Sequence, residues 1–188
     1  NRVIEAALRS LRALNAASEA ERITPLLEHE KPFIRLEALW ALKSFKKTAD
    51  YTPAIGGLLK DPDPKIRVEA VQALHHADET FYWVVPSLQD PDDEVRFAAL
   101  EFFKQAKILP LAEIAYLLGD DSSGIRSAAC GLFQSLLYDP QRSHKLARET
   151  IKRMAEKGET QRIRRALQCE CEGPSFLRAL EDYNLKEL

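Results

Sequence analysis

Along the first three quarters of the chain, apolar residues recur three and four apart in short runs, and proline or aspartate ends each run. That spacing predicts amphipathic helices of one to four turns. One block returns four times: PFIRLEALWAL from Pro32, PKIRVEAVQAL from Pro64, DEVRFAALEFF from Asp93 and SGIRSAACGLF from Ser123. Taking Ile34, Ile66, Val95 and Ile125 as markers, the periods are 32, 29 and 30 residues. An outer and an inner helix are predicted in each repeat: Glu19 to Glu28 with Pro32 to Phe45, Tyr51 to Leu59 with Pro64 to His76, Glu79 to Leu88 with Asp93 to Gln105, and Leu111 to Leu118 with Gly124 to Leu137. Pro32, Pro62, Pro64 and Pro91 fall at or before helix starts, where a missing amide costs nothing. Asp63 and Asp92 are placed to cap the helices that follow them.

A fixed period of this length means units that bury their apolar faces against one another. The aliphatic-arginine step with an alanine three places on, entered through DPDPKIR at Asp61 and DPDDEVR at Asp90, resembles the short HEAT-like repeat of phycobilin lyase subunits over residues 1 to 137. The resemblance implies an all-α, right-handed α-α superhelix. At GDDSSGIR from Asp120 the aspartate is kept and the proline is lost. The motif arginines Arg35, Arg67, Arg96 and Arg126 recur with the architecture, so their expected role is to tie helix starts to turn aspartates or carbonyls of adjacent repeats.

The opening segment Arg2 to Leu14 fits the inner-helix pattern, with Val3 at the marker position, Ala7 at the alanine and Leu11 at the last leucine, but Ile4 stands where the arginine belongs. With Asn1 first and Met154 the only methionine, a fragment of a longer protein is expected. Beyond Leu137 the period is lost. A helix from Gln141 to Lys157, a stop at Gly158, a second helix from Glu159 to Cys171 and a third from Ser175 to Tyr183 are read as a divergent helical cap over 138–188. Together they make a single domain of 188 residues.

Composition narrows the function. A net charge of -2 with 30% charged residues argues against a generally basic nucleic-acid binder, and no apolar run reaches the roughly 20 residues of a membrane span. The first residues do not read as a signal sequence, and three cysteines, Cys130, Cys169 and Cys171, do not form a disulfide framework, so free thiols and a cytoplasmic location are expected.

Angular bookkeeping at about 100° per residue turns Ile66, Ala70, Ala73 and Leu74 toward the core and leaves Lys65, Val68, Gln72 and His75 on the opposite face. Equivalent positions in the neighbouring repeats hold Phe33, Leu36, Trp40 and Lys43, and Phe97, Glu101 and Lys104. Aromatic and aliphatic side chains ringed by charge suit a protein partner gripped on the concave face. The same positions would also arise if curvature packed neighbouring inner helices together, so both readings stay open.

Charge is distributed unevenly. From Arg142 to Arg165 there are nine basic side chains against three glutamates, whereas residues 1 to 141 hold 16 basic against 21 acidic. Arg148, Lys152, Arg162, Arg164 and Arg165 form a possible basic patch for phosphate, nucleic acid or an acidic partner, or else a solvated face. Catalytic signals are thin. The single His29-Glu30 pair falls short of the several pairs of HEAT-like deoxyhypusine hydroxylases; His75 and His76 diverge on a helix; CxC at Cys169 and Cys171 lacks further ligands. HEAT-like alkylpurine DNA glycosylases place a carboxylate one turn from a tryptophan, where this chain has Ser44 after Trp40 and Ser87 after Trp83. No metal, cofactor or catalytic residue is expected. The reading is a non-enzymatic protein-binding scaffold, with a phycobilin-lyase-type subunit and a nucleic-acid binder acting through the cap as alternatives.

Overall fold

A computed structural model describes residues 2–45, 51–74, 80–106, 109–134 and 140–168. Every regular element among them is helical, and the fold is all-α. The chain divides into two compact units, residues 1–87 and 88–188.

In the first unit the inner helices are α1 (Arg2–Ala13), α3 (Pro32–Ser44) and α5 (Pro64–Ala73), packed side by side in that order. The outer elements α2 (Ala20–Ile23), α4 (Thr52–Gly57) and α6 (Phe81–Val84) are shorter than the pattern predicts. Each passes directly into a 3-10 turn, Thr24–Glu28 after α2, Leu58–Lys60 after α4 and Val85–Gln89 after α6. After α2 the cause is local: Pro25 has no amide to continue the α-ladder, and the tighter winding brings Leu27 inward instead. The core is the face computed from periodicity: Ile34, Ala38, Ala41, Ile66 and Ala70 are fully buried, with Ile23, Leu27, Ile55 and Leu58 set against them from the outer elements. The turn after α1 is closed by Asn15 in the left-handed region, φ 49°, with the Ala16 amide donating back to the Leu11 carbonyl at 3.0 Å.

The second unit contains α7 (Asp93–Phe103), α8 (Leu111–Leu117), α9 (Ser123–Gln134), α10 (Pro140–Glu156) and α11 (Thr160–Leu167). Helix α10 stops at Gly158, φ 70°, where the Glu159 amide reaches back to the Met154 carbonyl at 2.9 Å. Of the expected cap helices, α10 and α11 are observed, while the one from Ser175 to Tyr183 lies outside the described residues. Met154 and Ile163 pack on Tyr116 of α8, which fastens the cap helices to the repeat preceding them.

Each motif arginine donates to the turn before its own helix, and Arg35 and Arg96 also reach the aspartate of the next repeat. Arg35 makes a bidentate pair with Asp61, Nε to Oδ2 at 2.6 Å and a terminal nitrogen to Oδ1 at 2.7 Å, and its other terminal nitrogen donates to the carbonyls of His29 and Glu30. Arg96 reaches Asp120 through one terminal nitrogen, at 2.8 Å, and donates through the other to the carbonyl of Asp90 at 2.9 Å. Arg67 and Arg126 each donate to the carbonyl six residues earlier, Asp61 and Asp120, both at 2.8 Å. The same aspartates accept from backbone amides two residues on, Asp63 and Ser122, so one carboxylate shapes its own turn and anchors the preceding repeat. Asp63 caps α5 and Asp92 caps α7 through the Lys65 and Glu94 amides. These positions hold structure rather than ligand.

Gly119 explains how closely α11 approaches. A β-carbon there would lie 2.5 Å from the Arg162 Cγ and still closer to the Arg162 carbonyl, which as backbone cannot swing away. Gly119→Ala is therefore expected to lower stability by about 1–3 kcal/mol, an overpacking cost, and to raise amide exchange in α11 more than in α7. Uniform exchange in the two helices would contradict it.

Candidate functional site

The inner-helix residues singled out from the sequence are placed as follows. In the first unit Phe33 is 42% exposed, Leu36, Trp40 and Val68 are half-buried, and Lys43 is exposed; His75 lies outside the described residues. In the second unit Phe97 is 44% exposed, Glu101 is half-buried and Lys104 is exposed, the last two paired with each other along α7.

The structure brings together Trp40 and Lys43 with residues the sequence argument did not single out. Arg12, Trp40, Lys43, Ser44, Glu69 and Gln72 line an open cleft of about 550 Å³ across α1, α3 and α5. The Arg12 guanidinium stands 5.7 Å from the Trp40 ring centroid, a cation-π contact. The Lys43 Nζ donates to Glu69 at 3.2 Å and to Gln72 at 3.3 Å, joining α3 to α5. Between α1 and α3 the counterpart is the Arg9 Nε to Glu37 at 2.9 Å, and hydrogen bonding to Glu37 raises the Arg9 pKa above its ordinary value. The signal for Arg12 was present in the sequence: it sits nine residues after Val3, as Lys43 sits nine after Ile34. Packing therefore covers part of Trp40 and leaves the rest open.

This geometry predicts intermediate fluorescence quenching of Trp40. With Trp83→Phe leaving one of the two tryptophans, acrylamide should quench emission less than for a free indole and more than for a buried one. Adding Arg12→Ala should increase quenching by removing the guanidinium from the ring. Insensitivity to Arg12→Ala would mean that Arg12 does not cover the indole in solution.

The basic residues of the cap separate into two groups. Arg162 faces Asp120 at 3.8 Å and Glu159 at 3.5 Å; Arg165 pairs with Asp121 and donates to the Gly119 carbonyl at 3.1 Å; Arg153 meets Glu113 at 3.6 Å. Arg153, Lys157 and Arg162 also surround the Tyr116 ring at 4.7, 5.1 and 4.6 Å. The Tyr116 hydroxyl donates to Glu159, and burial followed by that hydrogen bond pushes its pKa up to about 12. Sequence reasoning missed Tyr116 because nothing in its period sets it apart. Lys152 meets Glu156 at 3.8 Å on α10, and Arg148, Lys152 and Arg164 are exposed.

One expectation is overturned. Cys130 on α9 is disulfide-bonded, contrary to the expectation of free thiols there. Spacing along the chain does not measure separation in a folded stack. In the second cleft of the first unit, about 620 Å³, Arg35 and Asp61 are spent on each other, and the His29 Nδ1 accepts from the Lys31 amide at 3.1 Å. Among the described residues no three His, Cys, Asp or Glu side chains lie close enough to hold a metal ion, and no helix is long and apolar enough to cross a membrane.

Comparison with known families bears on residues 1–75, which match the model of HEAT repeats. Residues 1–75 are HEAT-like repeats. HEAT repeats generally mediate protein-protein interaction, and the family is typically a non-enzymatic scaffold. Neither the curated proteins nor the solved structures give a match to the chain.

Proposed function

We propose that this protein is a non-enzymatic binding module that grips a protein partner through its inner helices. Trp40 is the anchor, with Phe33, Leu36 and Val68 extending the apolar contact in the first unit; Phe97 with Glu101 and Lys104 is a separate candidate contact in the second. The carrying observation is the open cleft beside Trp40, where a half-buried indole is bordered by Arg12, Lys43 and Glu69. An aromatic side chain bordered by charges supplies apolar area at its centre and orientation at its rim. Bland packing accounts for Leu36 and Val68, half-buried as they are, but leaves Phe33 and Phe97 open to solvent.

Recognition of nucleic acid or phosphate through the cap has less support. Arg162 and Arg165, two of its five side chains, are held against the acidic turn at Asp120 and Asp121. The test is an affinity isolation from cells using the complete chain and a Trp40→Ala variant shown to be folded. A partner retained equally by both variants would contradict the Trp40 anchor, and retention that collapses with modest salt or nuclease would favour the cap.

A further inference from the structure

Between the outer elements of the first unit, an open cleft of about 620 Å³ separates the 3-10 turn Thr24–Glu28 from α4 and the turn that follows it. Its walls are largely apolar. Pro25, Leu27, Ala54 and Leu58 line it, Leu27 and Leu58 being at most 5% exposed. The cleft stays open because α4 presents small residues there. A β-carbon added at Gly57 would meet no other atom within 4 Å, and the backbone at that position, φ -58° and ψ -36°, is ordinary helix open to any residue.

The charge on this cleft is unbalanced. Arg35 is the one cation among the lining residues, and its bidentate pair with Asp61 neutralises both. Glu28 and Glu30 also line the cleft; both are exposed, and among the described residues neither forms an ion pair. Two free carboxylates therefore stand beside an apolar wall. They do not make a metal site, since among the described residues no three His, Cys, Asp or Glu side chains lie close enough to hold an ion. His29 adds a donor: its Nδ1 accepts from the Lys31 amide, so the ring carries its proton on Nε2.

We propose that this cleft takes a basic side chain, lysine or arginine, from an extended segment of a partner protein. Such side chains lay an aliphatic stem along apolar surface and keep the charged head in water. Pro25 and Leu58 supply the surface, and Glu28 and Glu30 supply the countercharge. The same two carboxylates repel an anionic ligand. A cleft of about 620 Å³ has room for more than one side chain, so the peptide flanking the basic residue enters with it and the His29 Nε2–H donates to a peptide carbonyl. No residue is shared with the cleft at Trp40, so this site stands or falls independently of the inner-helix reading.

The experiment uses the full 188-residue chain with methyl-labelled Ala and Leu, titrated with the peptide acetyl-Ala-Ala-Lys-Ala-Ala-amide. The Ala54 and Leu58 methyl signals are expected to shift saturably. A peptide with norleucine for lysine, which keeps the stem and loses the charge, should bind about tenfold or more weakly. Glu28→Gln combined with Glu30→Gln should erase that preference, and both residues are exposed, so the fold is kept. Gly57→Leu should block binding by filling the cleft, with an undiminished melting temperature showing that the chain is folded, and Trp40→Ala should leave the titration as it was. Absence of shifts at about 10 mM peptide, equal affinity for the norleucine peptide, indifference to the glutamine or Gly57 variants, or loss on Trp40→Ala would each overturn the proposal. So would spermidine shifting the same methyl signals with the affinity of the peptide or better, because a free polyamine would then be the occupant.

Discussion

Replacing Asp61 with alanine is expected to destabilise the first unit by about 3–5 kcal/mol, the cost of leaving a buried charge without its partner. The side chains of Arg35 and Asp61 are 9% and 3% exposed, so solvent cannot replace the lost carboxylate around the guanidinium. In the native pair, hydrogen bonding to Asp61 raises the Arg35 pKa above its ordinary value against the opposing effect of burial; without Asp61 the guanidinium still keeps its proton, because arginine stays charged in proteins. The same substitution frees the Asp63 amide that Asp61 holds at 2.9 Å. Arg35→Ala should cost a comparable amount, whereas Arg67→Ala, which removes donation to the Asp61 and Pro62 carbonyls, should cost about 1–3 kcal/mol. Denaturant unfolding measures all three, and a paired Arg35→Met and Asp61→Leu variant should recover much of the loss. A cost below about 1 kcal/mol for Asp61→Ala would rank the pair with exposed ion pairs, which contribute little.

That arginine was legible before any coordinates because it recurs with the architecture, and a feature with the period of the fold serves the fold. The buried stripe of Ile34, Ala38 and Ile66 was legible for the same reason: helical periodicity alone turns these residues inward. What periodicity could not supply was pairing between repeats. Nothing local to Arg12 says that it lies over Trp40, and nothing local to Glu69 says that it receives Lys43, because each contact joins residues about 26 to 28 apart whose approach depends on how one helix seats on the next. The cap illustrates the same gap. Its local excess of basic residues reads as a binding patch when charges are counted along the chain, yet Asp120, Asp121 and Glu113 come from the preceding repeat to meet Arg162, Arg165 and Arg153. The outer helices are shorter than their apolar spacing predicts; in the first, Pro25 lies inside the run and the winding turns to 3-10 over Thr24–Glu28.

Trp40→Ala is expected to weaken partner binding by about 2 kcal/mol or more, around thirtyfold in affinity, if the inner helices carry recognition. The magnitude follows from the site: truncation removes the apolar centre of the cleft and leaves the Arg12 guanidinium without the ring it covers at 5.7 Å. Phe97→Ala should cost less if the second unit only extends the contact, and Lys104→Ala should alter salt dependence more than affinity, since Lys104 is exposed and already paired with Glu101. The competing surface needs a variant that does not disturb folding. Removing Arg162 and Arg165 would undock α11 from the turn at Gly119, so a loss of binding there would say nothing about contact. Arg148→Ala with Lys152→Ala is the better comparison, both side chains being exposed on α10. Calorimetric titration of each folded variant against the isolated partner separates the two surfaces. Retained affinity in Trp40→Ala together with a loss in the Arg148 and Lys152 variant would move the binding site from the inner helices to the cap.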